Sequence, residues 1–534
     1  KNNSSVVKEN VMTSQFKKQL SLMDLTFIGL GAIFGSGWLF SASHVASQAG
    51  PAGILSWIIG GFAVLILGII YCELGAALPR AGGIIRYPVF SHGPLQGYLL
   101  GSVTVIAFSS LIAIEVVAAR EYAAAWFPSL TAVHDGVRSP TTIGWLFQFA
   151  LLCVFFALNY YSVKTFAIAN NLISALKFAV PVLVMVALLY HFKPANFSMT
   201  EFAPMGAHGV QGAVSAGGII FAYLGLTPII SVASEVKRPQ FTIPFALILS
   251  VVLATIIYVV LQVAFLGAVP TDMLANGWSG LSDKFPLPYR DIAMLLGLGW
   301  LALLVVSDAI ISPSGCGNIY MAATPRVIYA WSNSNTFFRI FTRVDPKSGI
   351  PRYALWLTFA LSVFWTMPFP SWDKLISVVS AALVLSYALA PVTVGALRRN
   401  APELERPFYV KGFTVLGPLA FVIASFIVYW SGWNVISWLL GAQIVLFALY
   451  VIFKRYVPTQ EVSLAQQLKS STWLLVYYIL MILASYLGSF GDGASHLLAA
   501  PFDTLFVMVI SLGCYYWGIR SGLPKALIKN DDEA

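Results

Sequence analysis

Residues 28 to 40 read Ile28-Gly-Leu-Gly-Ala-Ile-Phe-Gly-Ser-Gly-Trp-Leu-Phe40, a hydrophobic run that a Gly-Ser-Gly sequence at positions 35–37 interrupts at its middle. A second run reads Gly217-Gly-Ile-Ile-Phe-Ala-Tyr-Leu-Gly-Leu-Thr-Pro228 and is interrupted over positions 223–228. Counting hydrophobic runs along the chain makes them the first and sixth membrane segments. Because they lie five segments apart, they cross a bilayer in opposite directions.

Such interruptions have a physical consequence inside a membrane. An unwound stretch leaves backbone N–H and C=O groups unpaired, and these are tolerated only where they line a protein cavity. Interrupted helices at matching positions of two inverted halves are typical of the substrate site of a secondary transporter. The alternative is that the glycines only allow neighbouring helices to approach closely. The matched pair favours the first interpretation over the second.

The composition places the whole chain in a membrane. Of 534 residues, 58% are hydrophobic and 10% are charged, whereas a soluble domain averages about 25% charged residues. Continuous apolar runs of about 20 residues indicate helices rather than the alternating pattern of a membrane barrel. We therefore predict an all-α membrane protein with about 14 transmembrane helices. The segments lie near 24–46, 51–78, 95–127, 142–160, 166–191, 209–234, 243–268, 291–331, 352–368, 373–397, 413–430, 433–453, 473–490 and 501–520.

The distribution of positive charge predicts the topology. The net charge is +9, and 24 of the 31 Lys and Arg residues fall at the ends and loops of one side, against five on the other. The positive-inside rule then places both termini in the cytoplasm of a multi-pass protein of the cell membrane. The charge therefore reports membrane topology, and we predict no nucleic-acid partner.

We predict no soluble catalytic domain. The chain divides into a polar N-terminal arm (1–20), a transporter core (21–410), additional transmembrane helices (411–520) and a cytoplasmic tail (521–534). The four cysteines fall inside predicted segments and the six histidines lack metal-ligand spacing. We predict no enzyme activity, no cofactor and no metal site, because no nucleophile–base set or ligand cluster stands out.

Several short motifs resemble the amino acid–polyamine–organocation superfamily of transporters. They lie in the expected order over residues 20–410 and read Gly31-Ala-Ile-Phe-Gly-Ser-Gly37, Glu73-Leu-Gly-Ala-Ala-Leu-Pro-Arg-Ala-Gly-Gly83, Phe221-Ala-Tyr-Leu-Gly225 with Ser234-Glu-Val-Lys-Arg-Pro239, Arg326-Val-Ile-Tyr-Ala330, and Arg398-Arg399 with Arg406-Pro-Phe408. The resemblance implies a leucine-transporter-type fold with a 5+5 inverted repeat, alternating access and an amino acid substrate.

Within the superfamily the chain resembles the aspartate–proton symporter subgroup. The resemblance rests on two segments, Gly35-Ser-Gly-Trp-Leu-Phe-Ser-Ala-Ser-His44 and Ile114-Glu-Val-Val-Ala-Ala-Arg-Glu-Tyr122, and on two segments beyond twelve. It implies proton symport and an acidic amino acid substrate. The last four segments lie outside the repeat, where they serve packing or the formation of a homodimer.

An amino acid zwitterion offers a carboxylate and an ammonium. The start of a half-helix suits the carboxylate, because its backbone N–H groups are free and its dipole is positive; Gly35, Ser36 and Gly37 fit this role. Carbonyl groups at the broken ends suit the ammonium, and the candidates are Ile33, Phe34, Phe221, Ala222 and Leu224. Tyr223 is a candidate to cover the ligand. Ordinary helix packing is the alternative for Phe221 and Tyr223.

Lys177 is the first candidate for proton coupling. It lies in the fifth segment, and a lysine inside a membrane is a functional candidate by default because it is costly to bury. It resembles the fifth-segment lysine that takes the place of a sodium ion in proton-coupled members of the superfamily and bridges the first and eighth segments. That role makes a sodium symporter less favoured. The alternative is that the side chain extends along the helix towards a polar end.

Three further polar side chains are candidates within the membrane. Asp308 in the eighth segment is a candidate for proton transfer or for a purely structural pair, and Asn318 on the same segment is a candidate substrate ligand. Whether the Asn318 side chain points into the site depends on an expected break of the helix at Pro313. Arg120 suits a substrate side-chain carboxylate, unless Glu115, little more than one turn away, neutralises it.

The leading prediction is a proton-coupled importer of an amino acid, with an acidic one such as aspartate preferred. One alternative is an obligate exchanger, which moves amino acid only against amino acid on the other side. Another is a sensor that binds an amino acid without translocating it. The predicted partners are the amino acid, the proton and the lipid bilayer.

Overall fold

A computed structural model describes residues 20–79, 83–161, 164–223, 226–231, 236–334, 336–347, 349–454 and 461–528. The predicted substrate ligand Leu224 lies outside this range, as do residues 1–19 of the arm and 529–534 of the tail.

The described chain is helical almost throughout. The helices of the first half are α1 (Leu22–Ile33), α2 (Gly37–Ala49), α3 (Gly53–Ala77), α4 (Gly83–His92), α5 (Pro94–Ala123), α6 (Thr142–Tyr161), α7 (Lys164–Tyr190), α8 (Ala195–Ser198), α9 (Gly206–Ala216), α10 (Ile219–Ala222) and α11 (Leu226–Ser231). Those of the second half are α12 (Pro239–Ala268), α13 (Leu281–Lys284), α14 (Pro288–Leu295), α15 (Gly299–Asn333), α16 (Arg352–Trp365), α17 (Trp372–Ala388), α18 (Ala390–Asn400), α19 (Phe413–Trp430), α20 (Trp433–Phe453), α21 (Leu464–Leu487) and α22 (Phe502–Arg520).

The first membrane segment is two half-helices, as predicted. Helix α1 begins at a capping box in which the Ser21 hydroxyl accepts from the Asp24 N–H and the Asp24 carboxylate accepts from the Ser21 N–H, at 3.3 and 3.0 Å. It ends at Ile33, and α2 begins at Gly37. The residues between them form the break that the Gly-Ser-Gly sequence predicts.

The sixth membrane segment is also interrupted. Helix α9 ends at Ala216, and Gly218 adopts φ +86°, a left-handed conformation that is strained for any residue with a Cβ. The single turn α10 follows, and α11 lies beyond the undescribed residues 224–225. The interruption therefore begins earlier than predicted, at the glycine pair before residue 219.

Two features of the described chain differ from the sequence prediction. A two-stranded antiparallel ribbon joins β1 (Thr131–His134) to β2 (Val137–Pro140), because Asp135 and Gly136 supply the positive φ angles of a tight hairpin turn. The predicted segment 291–331 is two helices, α14 and α15, and α15 runs without a break through Pro313.

The described helices are arranged around α5. This helix is buried along nearly its whole length, and α15, α16 and α17 pack against it. The last four helices pack directly on the core: the Ser102 hydroxyl donates to Gln443 Oε1 at 2.9 Å, and Trp473 Nε1 donates to Gln96 Oε1 at 3.0 Å. Ten segments of the described chain are long and apolar enough to cross a membrane. The figure is below fourteen partly because interrupted segments fall short of the required length. The inverted repeat stays a prediction.

Candidate functional site

The two interrupted segments meet at their breaks. A Cβ placed on Gly37 at the start of α2 would lie 2.8 Å from the Cα of Ala222 at the end of α10. Only glycine allows this approach, because real Cβ atoms do not come so close to a backbone atom. The predicted ligands Gly35, Ser36 and Gly37 and the predicted carbonyl of Ala222 are therefore brought together at one place.

Tyr258 of α12 bridges the two breaks. Its hydroxyl lies 2.6 Å from the carbonyl oxygen of Ala222 and 3.2 Å from that of Ile33, and the side chain is buried. Both carbonyls are ones that the sequence predicts as ligands of a substrate ammonium. The ring of Tyr258 also packs on that of Phe34, with centroids 5.4 Å apart.

The carboxylate of Glu115 lies at the start of the second half-helix. It accepts from the backbone N–H of Ser36, which is 3.2 Å from Oε2 and 3.5 Å from Oε1. A Cβ on Gly35 would lie 3.0 Å from Oε1, so the glycine leaves room for the carboxylate. Glu115 is fully buried on α5. A negative group at the positive end of a helix is electrostatically favourable.

Lys177 holds the opposite side of the first break. Its ammonium donates to the carbonyl oxygen of Gly31 at 2.9 Å, and the side chain is 3% exposed. This bond joins α7 to α1 inside the membrane. The side chain therefore reaches the first segment and does not extend along its own helix to a polar end.

Asp308 of α15 is fully buried and interacts electrostatically with Lys177. Its Oδ1 accepts from the Ser312 hydroxyl at 2.6 Å, while Oδ2 has no hydrogen-bond partner among the described residues. An acidic oxygen without a partner is expensive to bury. Lys177 thus has a described contact with the first segment and an electrostatic partner on the eighth.

Trp372 covers the first break. Its indole Nε1 lies 3.4 Å from the Ser36 hydroxyl oxygen, and its ring stacks on Phe40 with centroids 4.8 Å apart. The next residue, Asp373, pairs with His44 of α2. Because Trp372 and Asp373 begin α17, the start of this helix packs against α2 beside the first break.

Arg120 does not reach the break through any described contact. Its guanidinium donates to the carbonyls of Pro370 at 3.1 Å and Arg138 at 3.4 Å, and it pairs with Glu121 at 3.5 Å. The suggestion that Glu115 neutralises it is wrong. Five residues along a helix turn by about 140° relative to one another, so the two side chains point to different faces.

Asn318 faces the fourth segment. Its Oδ1 accepts from the Asn159 amide at 2.8 Å, and both residues line a cavity between α6, α15 and α16 that also contains Arg326. The break expected at Pro313 is absent because α15 continues through it. The described hydrogen bond of Asn318 is therefore with Asn159, and none of its described contacts is with Ser36.

The aromatic candidates of the sixth segment pack on their neighbours. The Tyr223 hydroxyl donates to the carbonyl oxygen of Trp57 at 2.9 Å, and the Phe221 ring lies 6.4 Å from that of Trp372. Tyr223 therefore points towards α3, while Phe221 lies beneath the tryptophan that covers the break.

A second cluster of charge lies at the end of α3, away from the two breaks. The Glu73 carboxylate on α3 pairs with Arg398, whose Nε is 3.1 Å away, and with Arg406 at 3.9 Å, and it accepts from the Val410 N–H at 2.9 Å. Burial lowers the pKa of the Arg406 guanidinium, and the Glu73 carboxylate opposes that shift. Glu73 therefore anchors the loop that follows α18.

A separate contact lies just before α1, where the Lys237 N–H donates to Leu20 O at 3.0 Å.

Sequence reasoning missed two residues of this site, Tyr258 and Trp372, and one contact, that between Glu115 and the Ser36 N–H. The two residues are aromatic and lie in apolar helices, where such residues ordinarily serve packing. The contact joins residues 79 positions apart. The signal that could have found Glu115 was its position in a membrane segment, which marks an acidic residue as functional. Within the described residues, no group of His, Cys, Asp and Glu could hold a metal ion.

The chain is similar to known proteins along nearly its whole length. A family model described as "Amino acid permease" matches residues 20–486. The chain is 56% identical to the aspartate-proton symporter of Bacillus subtilis over 97% of this chain and 99% of that protein. It is 36% identical to the glutamate/serine transporter AimA of the same organism, over 97% of each. It is 25% identical to the branched-chain amino acid permease BcaP, over 82% of this chain and 93% of that protein.

Proposed function

The chain belongs to the amino acid permease family, and on that premise we propose that it imports aspartate together with a proton across a membrane. The superfamily and subgroup that the motifs predict are those of its relatives. These relatives are named as a symporter, a transporter and a permease, which supports movement of the substrate rather than its conversion.

The observation that carries the proton-coupling proposal is the bond from Lys177 to the Gly31 carbonyl. A protonated lysine holds α7 against the end of α1, where a metal cation would otherwise be needed to balance the free carbonyl groups. Loss of the proton removes the charge and weakens that bond, since hydrogen bonds from charged donors are about twice as strong as neutral ones. Asp308 acts on the same lysine from α15. The proton therefore controls how three helices are held together.

The amino acid binds between the two breaks. The N–H groups at the start of α2 face the substrate carboxylate, and the carbonyls of Ile33 and Ala222 face the ammonium. These groups recognise the backbone of any amino acid. The preference for aspartate rests on the 56% identity to a protein named for it. Arg120 remains a candidate for the side-chain carboxylate only if the outer loop releases it.

The test is uptake of radiolabelled aspartate into liposomes that contain the purified protein, with an inward proton gradient and no sodium. We expect gradient-dependent accumulation that Lys177→Ala abolishes. Lys469→Ala, which removes an exposed lysine from α21, is the matched control and should accumulate aspartate like the unmodified protein.

The same vesicles separate the alternatives. Accumulation that requires amino acid inside the vesicle would indicate an obligate exchanger. Binding of aspartate without uptake under any gradient would indicate a sensor. Uptake that needs sodium, or that persists in Lys177→Ala with the same dependence on the gradient, would contradict proton coupling through this lysine.

The protein is a multi-pass membrane protein, and we propose the cell membrane, with both termini in the cytoplasm, as its location. The excess of Lys and Arg on one side supports this orientation. Helices α19–α22 extend the core, and we propose them as the surface of a homodimer. The mass of the protein in a detergent of known micelle size, measured with and without residues 411–534, tests the dimer.

A further inference from the structure

We propose that Glu115 is an internal competitor for the substrate: its carboxylate occupies the Ser36 N–H that the substrate carboxylate needs, and protonation of Glu115 releases that position. This inference rests on the proposed function, because it assumes an amino acid that binds at the first break. It assigns to Glu115 a positioning role that is distinct from that of Lys177.

The geometry is that of a bound ligand. The Glu115 carboxylate lies 3.2 Å from the Ser36 nitrogen, and Gly35 leaves open the space that it fills. Ser36 is fully buried, and the described partner of its N–H is the Glu115 carboxylate. A substrate carboxylate needs the same N–H and the same space. The two carboxylates cannot occupy this position together, because both are negative and both require the same donor.

The half of the site that is expected to bind the substrate ammonium is also occupied by a side chain of the protein. The Tyr258 hydroxyl lies against the carbonyls of Ile33 and Ala222, where a substrate ammonium is expected. Side chains of the protein therefore contact both halves of the expected amino acid site. These contacts satisfy buried, unwound backbone groups inside a membrane.

The groups that act electrostatically on Glu115 lie on two helices. Lys177 faces it from α7, and Cys316 and Tyr320 face it from α15. From α1 and α2 the described contact is the backbone N–H of Ser36. Lys177 is the cation of this set, and Asp308 of α15 acts on the same lysine, so a proton taken up by Glu115 makes the local charge more positive by one unit. A site with less negative charge favours an incoming carboxylate.

The exchange balances in protons and bonds. A proton from the outer solution is taken up by the Glu115 carboxylate, which becomes a neutral carboxyl and loses its charge-assisted bond to the Ser36 N–H. The substrate carboxylate then accepts from that N–H. On the cytoplasmic side the substrate leaves, Glu115 releases its proton and the original contact forms again.

The test is the affinity for radiolabelled aspartate in detergent between pH 5.5 and 7.5. Aspartate itself hardly titrates in this window, since carboxyl groups titrate near pH 4. We expect the Kd of the unmodified protein to rise by up to about tenfold per pH unit, the linkage of one proton to one ligand. Glu115→Gln keeps the shape of the side chain and removes its charge. We expect it to bind at least tenfold more tightly than the unmodified protein at pH 7.5, with a Kd that changes less than twofold across the window.

Glu121→Gln is the matched control, because it makes the same change at another buried carboxylate on α5, one whose partner is Arg120. It should keep the pH dependence of the unmodified protein. A Glu115→Gln protein that binds more weakly or equally, or that keeps the pH dependence, would overturn the proposal, since a purely structural glutamate would give those results.

The same titrations with glutamate and leucine separate this inference from the proposed function. If aspartate fails to bind and another amino acid binds, the proposed substrate is wrong and the Glu115 prediction is judged on the amino acid that binds. Binding of none of them by a folded protein overturns both.

Discussion

The Tyr258 hydroxyl contacts the free carbonyls of both interrupted segments. Tyr258→Phe removes this donor and leaves two buried carbonyls with one partner fewer. Loss of a hydrogen bond to a buried acceptor costs about 1–3 kcal/mol, so we expect a lower thermal unfolding temperature in detergent. We also expect added aspartate to raise the unfolding temperature of Tyr258→Phe by more than it raises that of the unmodified protein. The reason is that the substrate ammonium replaces the missing hydroxyl.

Tyr71→Phe is the matched control for this prediction. The Tyr71 hydroxyl donates to the Ser386 carbonyl at 3.1 Å, away from both breaks, and the side chain is equally buried. It should lower the unfolding temperature without changing the stabilisation by aspartate. Equal stabilisation of both variants by aspartate would argue against a role for Tyr258 in the substrate site.

At the residue scale, the sequence shows which side chains are unusual for a membrane segment, but it does not show which residues they contact. Lys177 is conspicuous because a charge inside a membrane is costly, and its reach to the first segment follows from the family resemblance. The partner of Glu115 depends on how α5 is rotated against α2, which no local pattern records. For the same reason Asn318 is predicted at the site and lies against Asn159.

At the scale of elements, contact between the half-helices depends on Gly37. Gly37→Ala places a Cβ 2.8 Å from the Ala222 Cα and must push α2 away from α10. Overpacking of this kind costs about 1–3 kcal/mol. We expect a lower unfolding temperature and a loss of most aspartate uptake in liposomes, because the two breaks no longer face each other.

Gly441→Ala is the control for Gly37→Ala. A Cβ at Gly441 on α20 meets nothing within 4 Å. We expect normal uptake and a stability that is unchanged or about 0.5–1 kcal/mol greater, since alanine is the better helix former. Normal uptake by Gly37→Ala as well would show that the contact between the half-helices is dispensable.

The sequence predicts the helical elements and the first break because apolar length and clustered glycines act locally. It fails where a neighbouring element overrides the local signal. Pro313 removes one hydrogen-bond donor, yet α15 continues through it because the helix is held by packing on α5. The hairpin of β1 and β2 was missed, although Asp135 and Gly136 are a recognisable turn pair.

At the scale of the whole molecule, Glu73 ties the loop after α18 to α3. Glu73→Gln removes the charge that Arg398 and Arg406 share and leaves both guanidinium groups partly buried without it. We expect a loss of about 2–3 kcal/mol of stability, seen as a lower unfolding temperature. Glu403→Gln, an exposed change in the same loop, should have almost no effect. Similar losses in both variants would contradict the anchoring role.

A strand-like contact joins the chain before α1 to the chain after α11. Leu20 and Val236 form a parallel bridge, and the Lys237 N–H donates to Leu20 O. If both ends move together, a disulfide between Leu20→Cys and Val236→Cys should form on oxidation and leave aspartate uptake intact. The same double variant kept reduced is its control. Uptake that stops on oxidation and returns on reduction would mean that these ends must separate.

This bridge bears on how readily protons cross the protein without an amino acid. If α1 and α11 stay joined at this bridge, opening at that end of the two segments is a single event rather than two independent ones. A carrier in which the two segments opened separately there would spend part of its time half open, and protons would cross without cargo. The bridge would in that case limit how much of a proton gradient is dissipated for each molecule carried.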